Sequence, residues 1–298
     1  MTRPGDSDIT MVVTTLGRID YLERLIRSLI PQLSERDTLV IVAQANVAQT
    51  RALAERHRSA LSARLIVGES ARGASRGRNV GVGLSQTRHD DLLLFPNDTS
   101  WFPAGSVASI RSGIGDASGC VTVRAPEGDR FSLPAPGTPL DRRNVWQVIE
   151  MGLAIRRSAF VGLGGFDEAL GTGAPTPWQA GEVTDLLLRW LATSPESARR
   201  FVWLPPHSAW IGGIAEGEGL SSREARWKLR AYGRGIARVY RRHRYPLLLQ
   251  LAHIAAGAII GLRRHSEYPL VAGVPAFLGR LEGFCGTTLG RGRTAVRR

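Results

Sequence analysis

Lysine is nearly missing from this chain. Lys228 stands alone, so the 39 basic residues, against 26 acidic ones, are almost all arginine and carry a formal net charge of +13. Cysteine is scarce as well. Cys120 and Cys285 lie far apart and match no metal-ligand spacing, which leaves no support for a disulfide framework or a zinc site. No internal repeat or low-complexity segment occurs, which excludes a solenoid. The polar start, MTRPGDSD, has no charged n-region, apolar h-region or small-residue cleavage site, so the expected location is cytoplasmic. The run Leu247 to Leu262, interrupted by Gln250 and His253, falls short of the roughly 20 apolar residues of a spanning helix.

With 43% hydrophobic and 22% charged residues over 298 positions, the chain can bury a sizeable core. Apolar runs Asp8 to Thr15, Thr38 to Ala43, Arg64 to Val67 and Asp91 to Phe95 read as strands. Between them lie stretches of helical spacing: Tyr21 to Leu33, Val47 to Ala63, and Gly73 to Leu84 with Ser75 as its expected cap. This alternation predicts a mostly parallel α/β sheet with helices on both faces, whose ligand site lies at the carboxyl ends of the strands. Pro126 to Thr138 reads as a surface excursion, Trp146 to Arg156 as a strand, and Gly181 to Leu191 as an amphipathic helix after a Gly- and Pro-rich loop.

Composition changes near Ser221, where arginines at 223, 226, 230, 234, 238, 241, 242 and 244 precede the apolar run and its terminal Arg263-Arg264. The expected division is residues 1–220 as the main domain and 221–298 as a basic helical extension. That extension either lies on an anionic membrane surface or packs on the domain. The charge alone also suits nucleic acid, but no helix-turn-helix, zinc finger or RNA-sheet motif accompanies it, so no nucleic-acid partner is expected.

Four segments in order resemble glycosyltransferase family 2, the inverting transferases of the GT-A nucleotide-diphospho-sugar fold, over roughly residues 9 to 210. Met11-Val-Val-Thr-Thr-Leu-Gly-Arg18 is similar to the family's first strand and nucleotide-facing loop, with Thr14, Thr15 and Arg18 at the matching positions. Gly73-Ala-Ser-Arg-Gly-Arg-Asn-Val-Gly81 resembles its helix entry beside the donor, where Arg76, Arg78 and Asn79 carry the polar chemistry. Leu94-Phe-Pro-Asn-Asp-Thr-Ser-Trp-Phe-Pro103 resembles the acidic metal motif at a strand end, placing Asn97 and Asp98 there. Val161 through Leu186, with Thr176, Trp178, Glu182 and Asp185, looks like the acceptor loop and catalytic acidic motif.

The resemblance implies a nucleoside-diphosphate sugar as donor, a polysaccharide or lipid-linked glycan as acceptor, and a hexosyl or deoxyhexosyl group transferred at the inner face of the plasma membrane. A carboxylate must take the acceptor proton while negative charge grows on the departing diphosphate. Glu182 and Asp185, three apart on one helix side, are the candidates, with Glu182 favoured. Thr176 and Trp178 would meet the acceptor, and Asp98 would be the ligand of a magnesium or manganese ion.

Several positions depart from the family pattern. Ala43, with Gln44 beside it, replaces a nucleotide-contacting aspartate; Asn97 and Thr99 replace metal-binding carboxylates; Val183 replaces the usual base. Two readings follow: a metal-independent enzyme in which Arg18, Arg76 or Arg78 supplies the cation's charge, or an inactive descendant that binds nucleotide, glycan or a partner.

Overall fold

The computed structural model describes residues 7–86, 90–215, 218–260 and 270–289. Two compact units emerge. The first comprises residues 1–72, 76–165 and 186–216; the second gathers 73–75, 166–185 and 217–298. The compositional break near Ser221 thus falls close to the last entry of the chain into the second unit.

In the first unit, strands β1 (Ile9–Thr15), β2 (Thr38–Ala43), β3 (Arg64–Glu69) and β4 (Leu92–Leu94) alternate with helices α1 (Ile19–Leu29), α2 (Val47–His57) and α3 (Ala74–Ser85). They are followed by α4 (Ser106–Ile114), β5 (Gly119–Cys120), β6 (Thr122–Ala125), β7 (Gly128–Asp129), β8 (Leu153–Arg156) and α5 (Arg157–Gly162). After α6 (Glu182–Thr193) and α7 (Pro195–Arg199), the unit closes with β9 (Val202–Trp203) and β10 (Trp210–Gly212). The main sheet runs β3-β2-β1-β4-β8-β5-β9, and a small sheet runs β10-β6-β7. The first four strands of the main sheet are parallel; β8 pairs antiparallel with both β4 and β5.

β1 and β2 are apolar and almost wholly buried, as strands covered on both faces must be. Met11, Val13, Leu39 and Ile41 meet the apolar stripe Leu22, Leu25, Ile26 and Leu29 of α1 in one core cluster. The order has a functional consequence. The chain winds from β1 outward to β2 and β3, then returns to place β4 on the other side of β1, so the boundary between β1 and β4 is a topological switch point.

Two local expectations are revised. Ser75 lies inside α3 and donates to the Leu170 carbonyl at 2.6 Å instead of capping the helix. The segment 146–156 yields only the short β8, because two tight helical turns, Asn144–Gln147 and Glu150–Gly152, take up its first part.

The second unit contains the loop before α6 and helices α8 (Ser222–Arg242), α9 (Leu247–Ala258) and α10 (Gly273–Cys285). A capping box starts α8: the Glu224 amide donates to Ser221 Oγ, and the Ser221 amide donates back to the Glu224 carboxylate. α8 and α10 pack so closely that a Cβ at Gly279 or Gly283 would stand 2.1 or 2.2 Å from the Arg230 or Arg234 carbonyl oxygen. Between them the buried Glu282 accepts from both Arg230 and Arg234. Many arginines of this segment were legible only as a charge run, yet these two are internal struts. The end of the apolar run at Leu262 and the pair Arg263-Arg264 lie outside the described residues. Among the described residues no helix is long and apolar enough to cross a membrane.

Each unit is held by a buried carboxylate. Asp37, fully buried, accepts from the Ile9 amide at 2.9 Å, the Ser34 amide at 2.8 Å and both contacts of Arg111 at 2.8 Å. Asp37→Ala strands the Arg111 charge, the Ile9 and Ser34 amides and the Ser34 hydroxyl, which also donates to Asp37 at 2.8 Å, and should lower stability in denaturant titration by about 3–5 kcal/mol, the usual cost of breaking a buried pair. Burial raises the Glu282 pKa, but the two arginines outweigh it and hold the carboxyl below its ordinary range. Its contribution is therefore present at neutral pH and fades as pH falls through the depressed value. Glu282→Gln should remove that part of the acid sensitivity of unfolding, leaving a chain that is less stable near pH 7.

Candidate functional site

The carboxyl end of β1 reads Thr14-Thr15-Leu16-Gly17-Arg18, and β4 is followed across the switch point by Pro96-Asn97-Asp98. Asp98 is 1% exposed. Thr15 Oγ1 donates to its Oδ2 at 2.7 Å, and the Arg18 guanidinium grips both oxygens, with Nε at 3.2 Å and Nη2 in a close ion pair. Thr15 Oγ1 also accepts from the Gly17 amide at 2.9 Å, which fixes the turn that carries Arg18. Arg18 keeps 41% of its side chain exposed. The result is a guanidinium clamped to Asp98 along one edge, 5.9 Å from the centre of the Tyr21 ring and partly open to solvent, at the mouth of the parallel strands.

Asn97 forms the next layer. Its carbonyl oxygen accepts from Arg78 Nη2 at 3.1 Å, and its amide donates to Glu150 Oε1 at 2.9 Å. Arg78 approaches Glu150 at 3.8 Å. Burial raises the Glu150 pKa, yet the Arg78 charge and the Asn97 hydrogen bond reverse that effect and hold the carboxyl below its ordinary value. Arg78 is buried, so its charge serves Asn97 and Glu150. Gln44, at the end of β2, donates to Ser70 Oγ and the Ala71 carbonyl, both at 2.9 Å. α3 meets Thr14 and Gln44 at Gly77, where a Cβ would lie 2.5 Å from Thr14 Cγ2 and 2.7 Å from Gln44 Nε2. Only glycine lets the helix that carries Arg76 and Arg78 come this near the strand ends. Asn79 faces the other way along the unit, towards Gly165. Thr14 and Arg76 are partly buried.

Whether this set fits a divalent cation is a matter of donors. Hard cations prefer several carboxylate oxygens or phosphates. Both oxygens of Asp98 are already engaged by Thr15 and Arg18, Asn97 is neutral and engaged on both ends, and no group of three His, Cys, Asp or Glu among the described residues could hold a metal ion. Arg18 stands where the metal-bearing charge was expected, and the residues present do not fit a resident ion on Asp98.

The second unit holds the other candidate residues. Its loop is built by Gln179, whose side chain accepts from the Gly173 amide at 2.8 Å and donates to the Ala174 carbonyl at 3.0 Å. Thr176 Oγ1 donates to the Ala169 carbonyl and accepts from the Trp178 amide at 3.2 Å, so it is a loop fastener first. Glu182 opens α6 against that loop: a Cβ at Gly171 would stand 3.0 Å from its carboxyl carbon. Asp185, one turn on, is fully buried. It meets His243 Nε2 at 2.8 Å, with Arg242 Nη1 at 3.4 Å, and Arg242 also pairs with Asp167.

Sequence reasoning sets His243 aside because it shows no ligand spacing. Its partner lies 58 positions earlier, and nothing local signals the pairing. Glu150 and Asp167 escape it likewise. Beside these groups a cavity of about 350 Å³ is lined by Asp167, Leu170, Trp178, Arg238, Val239 and Arg242 among others. The Arg238 guanidinium lies 5.4 Å from the centre of the Trp178 ring. Trp178 is therefore both a cation-π partner and a cavity wall.

No protein-family model and no curated protein matches the sequence. Solved structures do. The mannosyltransferase PcManGT from Pyrobaculum calidifontis, in complex with GDP-Man and Mn2+, matches with a TM-score of 0.58 at 12% identity, covering 95% of this chain and 88% of that one. S. aureus TarS 1-349 in complex with UDP-GlcNAc matches with a TM-score of 0.52 at 13% identity, covering 94% and 92%. GalNAc-T7 with UDP, GalNAc and Mn2+ matches with a TM-score of 0.50 at 13% identity, over 79% of this chain and 50% of that one. At such identities the likeness establishes architecture: this chain has the GT-A type of α/β fold, with a mostly parallel sheet flanked by helices.

Proposed function

We propose that this chain is an inverting glycosyltransferase that moves a hexosyl or deoxyhexosyl group from a nucleoside diphosphate to a hydroxyl of a polysaccharide or lipid-linked glycan, with no resident divalent cation. The observation that carries this reading is the Arg18, Asp98 and Thr15 cluster at the β1/β4 switch point, the place where open α/β sheets bind nucleotides. The donors bound by the structural neighbours, UDP-GlcNAc and GDP-Man, support a sugar nucleotide as the ligand class.

In the reaction, the acceptor oxygen attacks the anomeric carbon while the bond from that carbon to the diphosphate oxygen breaks and its electron pair leaves with the diphosphate. Arg18, held by Asp98, places a fixed positive charge against the leaving group, with Arg76 as a further donor. The acceptor proton passes to a carboxylate, assigned to Glu182. Asp185 is wholly buried and engaged by His243 and Arg242, so it anchors the start of α6, and Glu182, which keeps 8% of its surface exposed, is the carboxylate left for the acceptor. Thr176 and Trp178 shape the acceptor loop.

Glu182→Gln should lower transfer, followed as release of nucleoside diphosphate from the cognate donor, by about 100-fold or more, the usual worth of a general base, with donor affinity kept. Addition of a chelator should leave the wild-type rate within about twofold, since Arg18 already supplies the charge. Val183 beside Glu182 favours one rival, an inactive binding protein for glycan assembly. Nucleotide binding without turnover by any donor, together with activity gained by Val183→Glu, would select that rival.

A further inference from the structure

One face of α9 is apolar and uncovered among the described residues. Leu248, Leu251, Ala252, Ala255 and Ile259 recur on one side of the helix, and Leu248 is 80% exposed. Leu247 and Leu249 flank them, both exposed. The opposite side is the packed one: Ile254 and Gly257 are buried, and a Cβ at Gly257 would stand 2.9 Å from the Phe277 amide of α10. Gly273 abuts the Ala258 carbonyl, which sets Val271 and Val274, 65% exposed in the latter case, beside the far end of the same face. A helix turned this way exposes its greasy side to solvent in the isolated chain, which large exposed apolar patches do when they serve an interface.

The charge around the patch selects the occupant. From Ala225 to Ser266 the chain has no aspartate or glutamate. The exposed Arg241 and Arg244 flank the end of α8, shortly before Leu247. A second copy of the chain would bring a like-charged, acid-free segment against its own kind, whereas an anionic bilayer offers hydrocarbon to the leucines and phosphates to the arginines that precede them. α9 is too short to cross, so it lies on the surface.

We infer that the α9 face, continued by Val271 and Val274, docks this protein onto an anionic lipid surface, and that its acceptor is a lipid-linked glycan presented close to that surface. The second half rests on the transferase reading. His243, the partner of Asp185, lies four residues before Leu247 in the same unit. Even fully extended, that link spans about 14 Å, so the residues around Asp185 work within a short glycan's length of the docked leucines.

The test is co-sedimentation of the full chain with phosphatidylcholine vesicles and with equimolar phosphatidylcholine and phosphatidylglycerol vesicles. Binding to the anionic vesicles should be about tenfold or more tighter and should weaken with added salt. The double variant Leu248→Glu/Leu251→Glu, at two exposed positions, should lose that binding by about tenfold or more. As a second readout, a polarity-sensitive dye on Leu248→Cys should shift to the blue on anionic vesicles. Absence of binding to anionic vesicles, or binding indifferent to the double variant, overturns the proposal. So does a dimer that the double variant splits in sedimentation without vesicle binding, which would give the face to a second copy. Vesicle binding without any sugar-nucleotide binding would keep the docking face and remove the transferase reading. With both present, the double variant should slow transfer to a vesicle-borne glycolipid while leaving donor hydrolysis unchanged; equal transfer would remove the lipid-linked acceptor.

Discussion

A carboxylate shut away from water has to be neutralised, and at the mouth of the parallel strands that duty falls to Arg18. Leaving Asp98 without a partner would cost several kcal/mol, so the pair fixes the geometry of the strand-end cluster. Thr15 adds a second bond from the last position of β1, and the Gly17 amide returns one to Thr15. The switch point therefore carries a permanent, aimed guanidinium in place of a set of free carboxylates. Everything proposed for donor binding depends on that exchange of roles.

The second unit applies the same physics to a different end. Asp185 is buried and paired with His243 and Arg242, and Glu282 is buried and paired with Arg230 and Arg234. These contacts turn a segment that reads as a basic tail into a helical layer with its own carboxylate struts. The exposed arginines at the end of α8 shortly precede the exposed leucines of α9 in the chain, and the docking proposal gives their charge an external use.

The inner sheet was legible because parallel strands buried on both faces must be largely apolar: β2 runs from Thr38 to Ala43 as expected, and β1 and β4 shift only at their ends, while the half-exposed edge strand β3 was read from its short apolar run and extends two residues further. Helices with one apolar stripe were legible for the same reason. Segment 146–156 was not, since short helical turns leave no periodicity to read. Within the site, local motifs located Thr15, Arg18, Asn97 and Asp98 but gave no hint that Arg18 would occupy the Asp98 carboxylate, which is a contact across 80 positions. His243 and Glu150 were beyond reach for the same cause. Pairings made by the tertiary fold carry no signature in spacing, and the chemistry of this chain rests on such pairings.

On the function proposed above, the strand-end guanidinium does the work of a cation. Calorimetric titration of the intact protein with UDP, GDP and their sugars, with and without manganese, measures it directly, using the wild type beside Arg18→Ala. The expected outcome is binding of a nucleoside diphosphate that ignores manganese in the wild type and weakens by about tenfold or more in the variant, the loss of one charge-assisted contact. Binding that appears only with manganese, or that Arg18→Ala leaves unchanged, would contradict it.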